Sequence, residues 1–497
     1  MAYNKKMYKP TIGLEIHVQL KTKTKMFCGC LNISSSEIAE LRGLNVELRG
    51  KSEIKPNTNI CPICTGYPGT LPTINKKAVE SVLKLGLALN SEIPETSKFD
   101  RKNYFYPDLP KGYQISQYDK PLVIGGSLNN VKITRIHLEE DTARLLHTAY
   151  SLVDFNRAGI PLMELVTEPN IKSGEEAVEF ARELQLILRY LEISDADMEK
   201  GQMRIEANIS VSKNSEFGTK VEVKNLNSFR AVKEAIDYEI KRQSEILDEG
   251  QEVKHETRGW DENKKITVSQ RLKEKAHDYR YFPEPDLPIL DLTDFDLGKL
   301  KAEIPELPLQ KRERFLKEFG LMPEQAEILI NEPRLAEYFE KSVSELFSEI
   351  SENGDKNKHV KLLFNYLTSD FKGLMNEISL SIDDIKIIPE NFADLIVLII
   401  KGEISSRLAK EILREMAASG LDPRRIIVEK GLIQISDEET IKKAVMEIIA
   451  KNPKAVIDYK KGKENSLQFL IGQAMAELKG QTSPDILRKI FLDYLSK

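Results

Sequence analysis

The chain has 497 residues and four cysteines, at positions 28, 30, 61 and 64. A Cys-x-Cys pair followed by Cys-x-x-Cys supplies four soft ligands, the number a tetrahedral zinc ion takes. Four cysteine ligands leave no open coordination position, so a zinc site at Cys28, Cys30, Cys61 and Cys64 is structural. Four free thiols in one core, or a redox couple in NICPICTG, are the competing readings. The redox reading lacks the βαβ unit whose helix such a motif opens. Gly66, Pro68 and Gly69 follow Cys64 instead and spell a tight turn.

Carboxylates form the second chemical set. Glu15 and His17 stand two apart in TIGLEIHVQL, as do Glu206 and Asn208 in MRIEANISVS, and Glu222 and Lys224 in TKVEVK. HLEED adds Glu139, Glu140 and Asp141, and PLMELVTEP adds Glu164. Oxygen ligands with one imidazole suit Mg²⁺, which is held by a few carboxylates and by substrate phosphates. Magnesium bridging phosphates is the usual equipment of phosphoryl transfer. Alternation alone favours a plainer reading, a solvated sheet face. No GxxxxGK[ST], GxGxxG, HRD or DFG is present, so any ATP site works without a P-loop or kinase motif.

Strands must carry these side chains. In TIGLEIHVQL, Ile12, Leu14, Ile16, Val18 and Leu20 alternate with Glu15, His17 and Gln19. MRIEANISVS and TKVEVK alternate in the same way, as half-buried antiparallel strands do. VKITRIHLEED changes phase after Ile133, which predicts a bulge. That alternation puts Glu140 on the apolar side with Ile136 and Leu138, from which a bulge would have to turn it, and Glu139 stands as its backup. SGEEAVEFARELQLILRYLEI opens on a Ser173/Glu176 capping box, and RAVKEAIDYEIKRQSEIL is a second amphipathic helix. Beyond about residue 290 the strands give way to helices punctuated by proline, and composition shifts again near 402. The fold class expected is α+β, with a mostly antiparallel sheet followed by all-α segments. The domains expected are 1–293, 294–402 and 403–497.

The net charge of −5 argues against a wholly basic nucleic-acid coat. Residues 454–497 nevertheless hold eight Lys/Arg against five Asp/Glu. Few cysteines and no apolar leader segment point to the cytosol, and no apolar run reaches the ~18 residues of a membrane span. FDRKNYFYPDLPKGYQISQYDKP sets Arg101, Lys102 and Lys111 among six aromatics, and DYRYFPEPDLP sets Arg280 between Tyr279 and Tyr281. Such segments stack on bases and neutralise phosphates, or they pack as proline-pinned loops.

Together IGLEIHVQLKTKTKMFCGC, NTNICPICTGYPGTLPTIN, FDRKNYFYPDLPKGYQISQYDKP, HLEED, DFNRAGIPLMELVTEP, VEVKNLNSF and DYRYFPEPDL resemble the B subunits of the aspartyl/glutamyl-tRNA amidotransferases. The resemblance covers nearly the whole chain, through LIGQAMAELKG. It implies a cradle-shaped catalytic domain similar to glutamine synthetase, then a helical linker and a tRNA-binding helical tail. It implies that ATP activates the side-chain carboxylate of Glu-tRNA(Gln) or Asp-tRNA(Asn). Ammonia released from glutamine by an amidase subunit then attacks, and a third, tether subunit completes the heterotrimer. By motif, Glu15, His17, Glu140 and Glu164 are expected to hold Mg²⁺. Lys102 is expected at the phosphate or on the ammonia path, and Glu206, Lys224 and Arg280 on the cofactor. The cysteines match the zinc-bearing branch. Where the family often carries Asp, this chain has Glu206. Lys460, Lys461 and Lys463 are expected to touch the tRNA backbone. The alternative function is a non-catalytic zinc-containing tRNA scaffold.

Overall fold

The structure, a computed structural model, describes residues 8–32, 55–147, 149–214, 216–272, 279–350, 355–431, 438–478 and 484–495. The chain divides into two compact units, Met1–Pro308 and Leu309–Lys497.

The first unit is built on strands β1 (Lys9–Gln19), β2 (Thr96–Ser97), β3 (Asp100–Asn103), β4 (Tyr113–Ser116), β5 (Val123–Ile124), β6 (Ser127–Leu128), β7 (Val131–Glu140), β8 (Arg144–His147), β9 (Ser151–Asp154), β10 (Pro161–Thr167), β11 (Met203–Ser212), β12 (Val221–Leu226), β13 (Glu256–Asp261), β14 (Ile266–Leu272) and β15 (Phe282–Pro283). The main sheet runs β14-β13-β12-β11-β1-β10-β7-β5, with β6 also paired to β7. Its pairs are antiparallel except β12–β13. The sheet is therefore mostly antiparallel, and with the helices below the chain is α+β.

Alternation in β1 does what it predicts. Ile12, Leu14, Ile16 and Val18 are fully buried, beside Ile205, Ala207 and Ile209 of β11 and Val221 and Val223 of β12. Three helices cover this apolar face: Lys76–Ala88, Gly174–Tyr190 and Phe229–Asp248. Asn75, Ser173 and Ser228 cap them, each side chain accepting an orphan N–H of the first turn. The expected capping box is modified: the Glu176 carboxylate accepts from Lys172 N–H at 2.8 Å, one residue before the Ser173 cap. The apolar face thus consumes one side of every central strand, and the other side is free to carry polar groups.

The bulge lies where the phase change places it. Val166 pairs with Arg135 and Thr167 with Ile133, which leaves Thr134 as the extra residue. After the bulge, alternation runs unbroken to the strand end.

Leu300 and Ile304 pack with the first unit's core, so residues 294–308 go with the sheet and not with the helices that follow. In the second unit the described residues are helical. Pro323, Pro333, Pro389, Pro423 and Pro453 each open a helix, where a missing N–H costs nothing. Asp422 caps Arg424 and Arg425, and Gly420 closes the helix Ser406–Ser419 with φ 73°. LIVLII lies in the buried helix Pro389–Ile400. The helices Ser406–Ser419 and Pro423–Glu429 pack against it, and a separate core gathers Ile441, Val445, Leu470, Leu487 and Phe491. No described helix is long and apolar enough to cross a membrane.

Candidate active site and cysteine cluster

Residues directly opposite in antiparallel strands point to the same face. One row across the sheet therefore reads Arg204, His17, Glu164, His137, and the next reads Glu206, Glu15, Val166, Arg135. Two clusters result. In the first, the ligand atoms of His17, Glu139 and Glu164 lie within 4.8 Å of one another; in the second, those of Glu15, Glu206 and Glu222 do.

In the first cluster His17 Nε2 is 3.3 Å from Glu164 and 3.6 Å from Glu139, while His137 Nε2 reaches Glu164 at 3.5 Å. Burial pulls the His17 pKa down, but Glu164 and Glu139 outweigh it and lift it to about 9. Burial pushes Glu139 up to about 7, and lowers His137 to about 4. Burial also opposes ionisation of Glu164, but His137, His17 and Lys102 overcome it, and that carboxyl stays well below its usual range. Glu164 is the anionic centre of this cluster.

In the second cluster burial, then repulsion from Glu164, Glu206 and Glu222, raises the Glu15 pKa despite a 2.8 Å hydrogen bond from Asn208 Nδ2. Lys224 Nζ reaches Glu206 at 2.8 Å and Glu222 at 3.4 Å. Asn208 Oδ1 is buried and accepts no hydrogen bond among the described residues. An orphaned oxygen beside a Glu15 carboxyl that resists ionisation and two further carboxylates is the environment a hard divalent cation relieves. The residues fit magnesium.

Glu140 is not brought to either cluster. It continues the apolar phase of β7, faces away from His17, and receives Lys111 Nζ and the Ile115 N–H, the latter at 3.0 Å. The bulge at Thr134 cannot turn it, because it precedes Ile136 and shifts the rest of the strand as a unit. Glu139, the alternative, takes the place at His17. Glu222, which the sequence marks only as a carboxylate beside Lys224 and not as a ligand, joins the second cluster, and His137, given no role in the sequence, joins the first. Both are visible only through register, since Glu222 pairs with Asn208 and His137 with Glu164.

Lys102 lies half-buried on β3, its Nζ 5.0 Å from the Tyr279 ring centre and 6.0 Å from that of Tyr104. Burial acts against its charge, but Glu139, Tyr281 and Glu164 more than compensate, so it stays a cation facing the first cluster. The two aromatic segments interlock: β15 pairs with β3, and Tyr118 stacks on Tyr281 at 4.3 Å. They are packed loops, though Phe105 remains 85% exposed. Arg280 is exposed, with φ 45°, and its carbonyl accepts from Asn103 at 2.8 Å.

All four cysteine sulfurs also lie within 4.8 Å of one another. The turn 61–66 curls around its thiols: Cys61 N–H donates to Cys64 Sγ at 3.2 Å, and Thr65 N–H to the Cys61 carbonyl. A hydrogen bond to Cys64, then burial, raises the Cys28 thiol pKa; burial pushes Cys30 up to about 12; and the bond from Cys28 draws Cys64 down to about 4. Four crowded sulfurs that share protons in this way fit a zinc ion, which replaces the protons with one dication. The buried Lys25 Nζ reaches Cys64 Sγ at 3.7 Å. Gly66 must be glycine: φ is +71°, and a Cβ would sit 2.7 Å from Lys111 Cγ. The cysteine turn thereby abuts Lys111, the partner of Glu140, beside an opening that Cys28, Cys64, Tyr113 and Glu140 help line. Most of the loop between Cys30 and Cys61, expected to lie close to the sheet, falls outside the described residues.

Residues 10–297 match the GatB/GatE catalytic domain, and residues 311–495 match the GatB domain. Three aspartyl/glutamyl-tRNA(Asn/Gln) amidotransferase B subunits illustrate the similarity. That of Thermoanaerobacter sp. is 45% identical, covering 99% of this chain and 100% of its own. That of Gloeothece citriformis is 44% identical, with 97% of each chain covered. That of Persephonella marina is 45% identical, covering 98% and 99%. The chain belongs to the family of aspartyl/glutamyl-tRNA amidotransferase B subunits.

Proposed function

We propose that this protein uses ATP to phosphorylate the side-chain carboxylate of Glu-tRNA(Gln), Asp-tRNA(Asn) or both, and then amidates it. The observation that carries this reading is the pair of acidic clusters on one sheet face, with Lys102 over the first. The substrate carboxylate oxygen attacks the γ-phosphorus and ADP leaves with the bond electrons. Ammonia then adds to the acyl phosphate carbonyl, a proton is lost, and inorganic phosphate departs, leaving the amide. Ammonia comes from glutamine through a partner amidase, held in place by a small tether protein; the heterotrimer works in the cytoplasm.

His17, Glu139 and Glu164 would hold one Mg²⁺, and Glu15, Glu206 and Glu222 a second. Bound there, magnesium supplies positive charge against the phosphate oxygens. Lys102 adds a fixed cation at the same place, and its aromatic cage excludes water. Lys224 relieves repulsion between Glu206 and Glu222. Arg280 is assigned to the nucleotide from its motif. Cys28, Cys30, Cys61 and Cys64 hold a structural zinc. Residues 403–497 form the tRNA-binding tail, and Lys460, Lys461 and Lys463 contact the RNA backbone.

The test is the assembled enzyme with Glu-tRNA(Gln) or Asp-tRNA(Asn), ATP and glutamine. Cleavage of ATP stimulated by a mischarged tRNA, with amide formed, supports the reading. Binding of tRNA without any stimulated cleavage would leave the scaffold alternative.

A further inference from the structure

Asp141 ends the run His137-Leu138-Glu139-Glu140-Asp141, and none of the chemistry above uses it. Its carboxylate is 4% exposed. Oδ2 accepts from Gln19 Nε2 at 2.9 Å and from Arg157 Nε at 2.7 Å; Oδ1 accepts from Arg204 Nη2 at 3.2 Å and from the Thr142 N–H at 3.0 Å. The backbone is fixed too, since Asp141 N–H donates to the Ile160 carbonyl and Gly159 N–H to the Asp141 carbonyl.

Two guanidinium groups share this one carboxylate, so the assembly keeps one positive charge in excess. Arg157 Nη2 is buried and finds no acceptor among the described residues. A buried donor left unpaired is costly, and a ligand oxygen removes that cost. Arg204 stands directly opposite His17 in the β1–β11 register, on the same face as both acidic clusters. Its Nη2 is spent on Asp141, and its side chain is 40% exposed, so the rest of the fork is open to a ligand. Forked, always-charged donors match the spacing of phosphate oxygens, and a phosphate, with three oxygens, can bridge two forks.

We propose that Arg204 and Arg157, held in place by Asp141, form an oxyanion site that grips phosphate oxygens of a nucleoside triphosphate beside His17. Asp141 is a positioning residue; the two arginines touch the ligand. The proposal rests on the phosphoryl-transfer reading, and it adds the cationic half of a site whose acidic half the clusters supply. The row position beside His17 favours the triphosphate over the RNA backbone, because the transferred phosphoryl must reach the first cluster.

The experiment uses the assembled amidotransferase carrying Arg204→Gln, Arg204→Lys, Arg157→Gln or Asp141→Asn. KM and kcat are measured separately for Mg·ATP and for mischarged tRNA, with thermal midpoint as the check on folding. Arg204→Gln should lower kcat/KM for ATP by ~10²-fold, the scale set by losing one oxyanion donor. Arg204→Lys should recover part of that loss, Arg157→Gln should act in the same direction, and Asp141→Asn should raise the KM for ATP with the KM for tRNA unchanged. Unchanged ATP parameters in both arginine variants would overturn the proposal. So would an increase confined to the KM for tRNA, which assigns the guanidiniums to RNA phosphates. A wild-type enzyme that cleaves no ATP would overturn the phosphoryl-transfer reading itself, an outcome distinct from wild-type cleavage that the variants match. Should Arg204→Gln fail to fold, Arg204→Lys and Arg157→Gln decide.

Discussion

The cysteine turn and the acidic sheet face are both anionic ligand sets, yet they are built in opposite ways. Cys28, Cys30, Cys61 and Cys64 come from two loop segments that close on themselves, and every ligand position of a tetrahedral ion is taken. Glu15, His17, Glu139, Glu164, Glu206 and Glu222 come from strands in rigid register, and each cluster offers only three protein ligands. A closed set stabilises; an open set leaves positions for substrate oxygens. On the proposed function, the same kind of charge therefore holds a loop in one place and prepares a reaction in the other.

That contrast can be broken at several points. The largest effect is expected at the open set. His17→Ala in the assembled enzyme should lower tRNA-stimulated ATP cleavage by ~10³-fold while zinc content holds and the enzyme stays folded. Next comes the sheet that positions both clusters. Ile16→Ala empties a fully buried site and should cost ~2–5 kcal/mol in chemical denaturation. The closed set should show the converse of His17. Cys61→Ser should lose zinc, measured by metal analysis, and lower the thermal midpoint, with any loss of activity following the fraction unfolded. Unchanged zinc stoichiometry would remove Cys61 from the site.

A smaller effect concerns pH. In the metal-free chain the neighbouring carboxylates lift His17 to about 9. A raised histidine contributes stability that is fully present below its unfolded pKa of ~6.5 and lost as pH rises towards 9. A divalent cation needs the neutral ring, so binding releases that proton. Affinity for Mn²⁺, used as a probe, should therefore rise with pH from ~6.5 to 9, and His17→Gln should flatten the profile.

Much of this was legible in the sequence, and the limits are instructive. Period-two alternation fixed the two faces of β1 and β11, and the phase slip after Ile133 located the bulge at Thr134. Alternation also placed Glu140 with Ile136 and Leu138, and the structure agrees with that pattern against the motif-based assignment; Glu139 faces His17 instead. What alternation cannot supply is register between strands. Glu222 meets Glu206 and Glu15 only because β12 lies against β11 and β11 against β1, and nothing local in TKVEVK says so. His137 was overlooked for the same reason. The shared carboxylate of Asp141 joins residues 19, 157 and 204, a meeting that depends on three separate chain connections. The boundary near 293 followed composition, whereas the buried Leu300 and the partly buried Ile304 packed on the same core carry the first unit on to Pro308.

The most direct measurement follows the γ-phosphoryl group itself. The assembled enzyme is given labelled ATP and Glu-tRNA(Gln) or Asp-tRNA(Asn) without an ammonia source, and labelled phosphate on the aminoacyl-tRNA and in solution is counted for wild type and Glu164→Ala. The account predicts tRNA-dependent transfer by wild type and loss of it in a folded, zinc-containing Glu164→Ala enzyme. Undiminished transfer by that variant would contradict it.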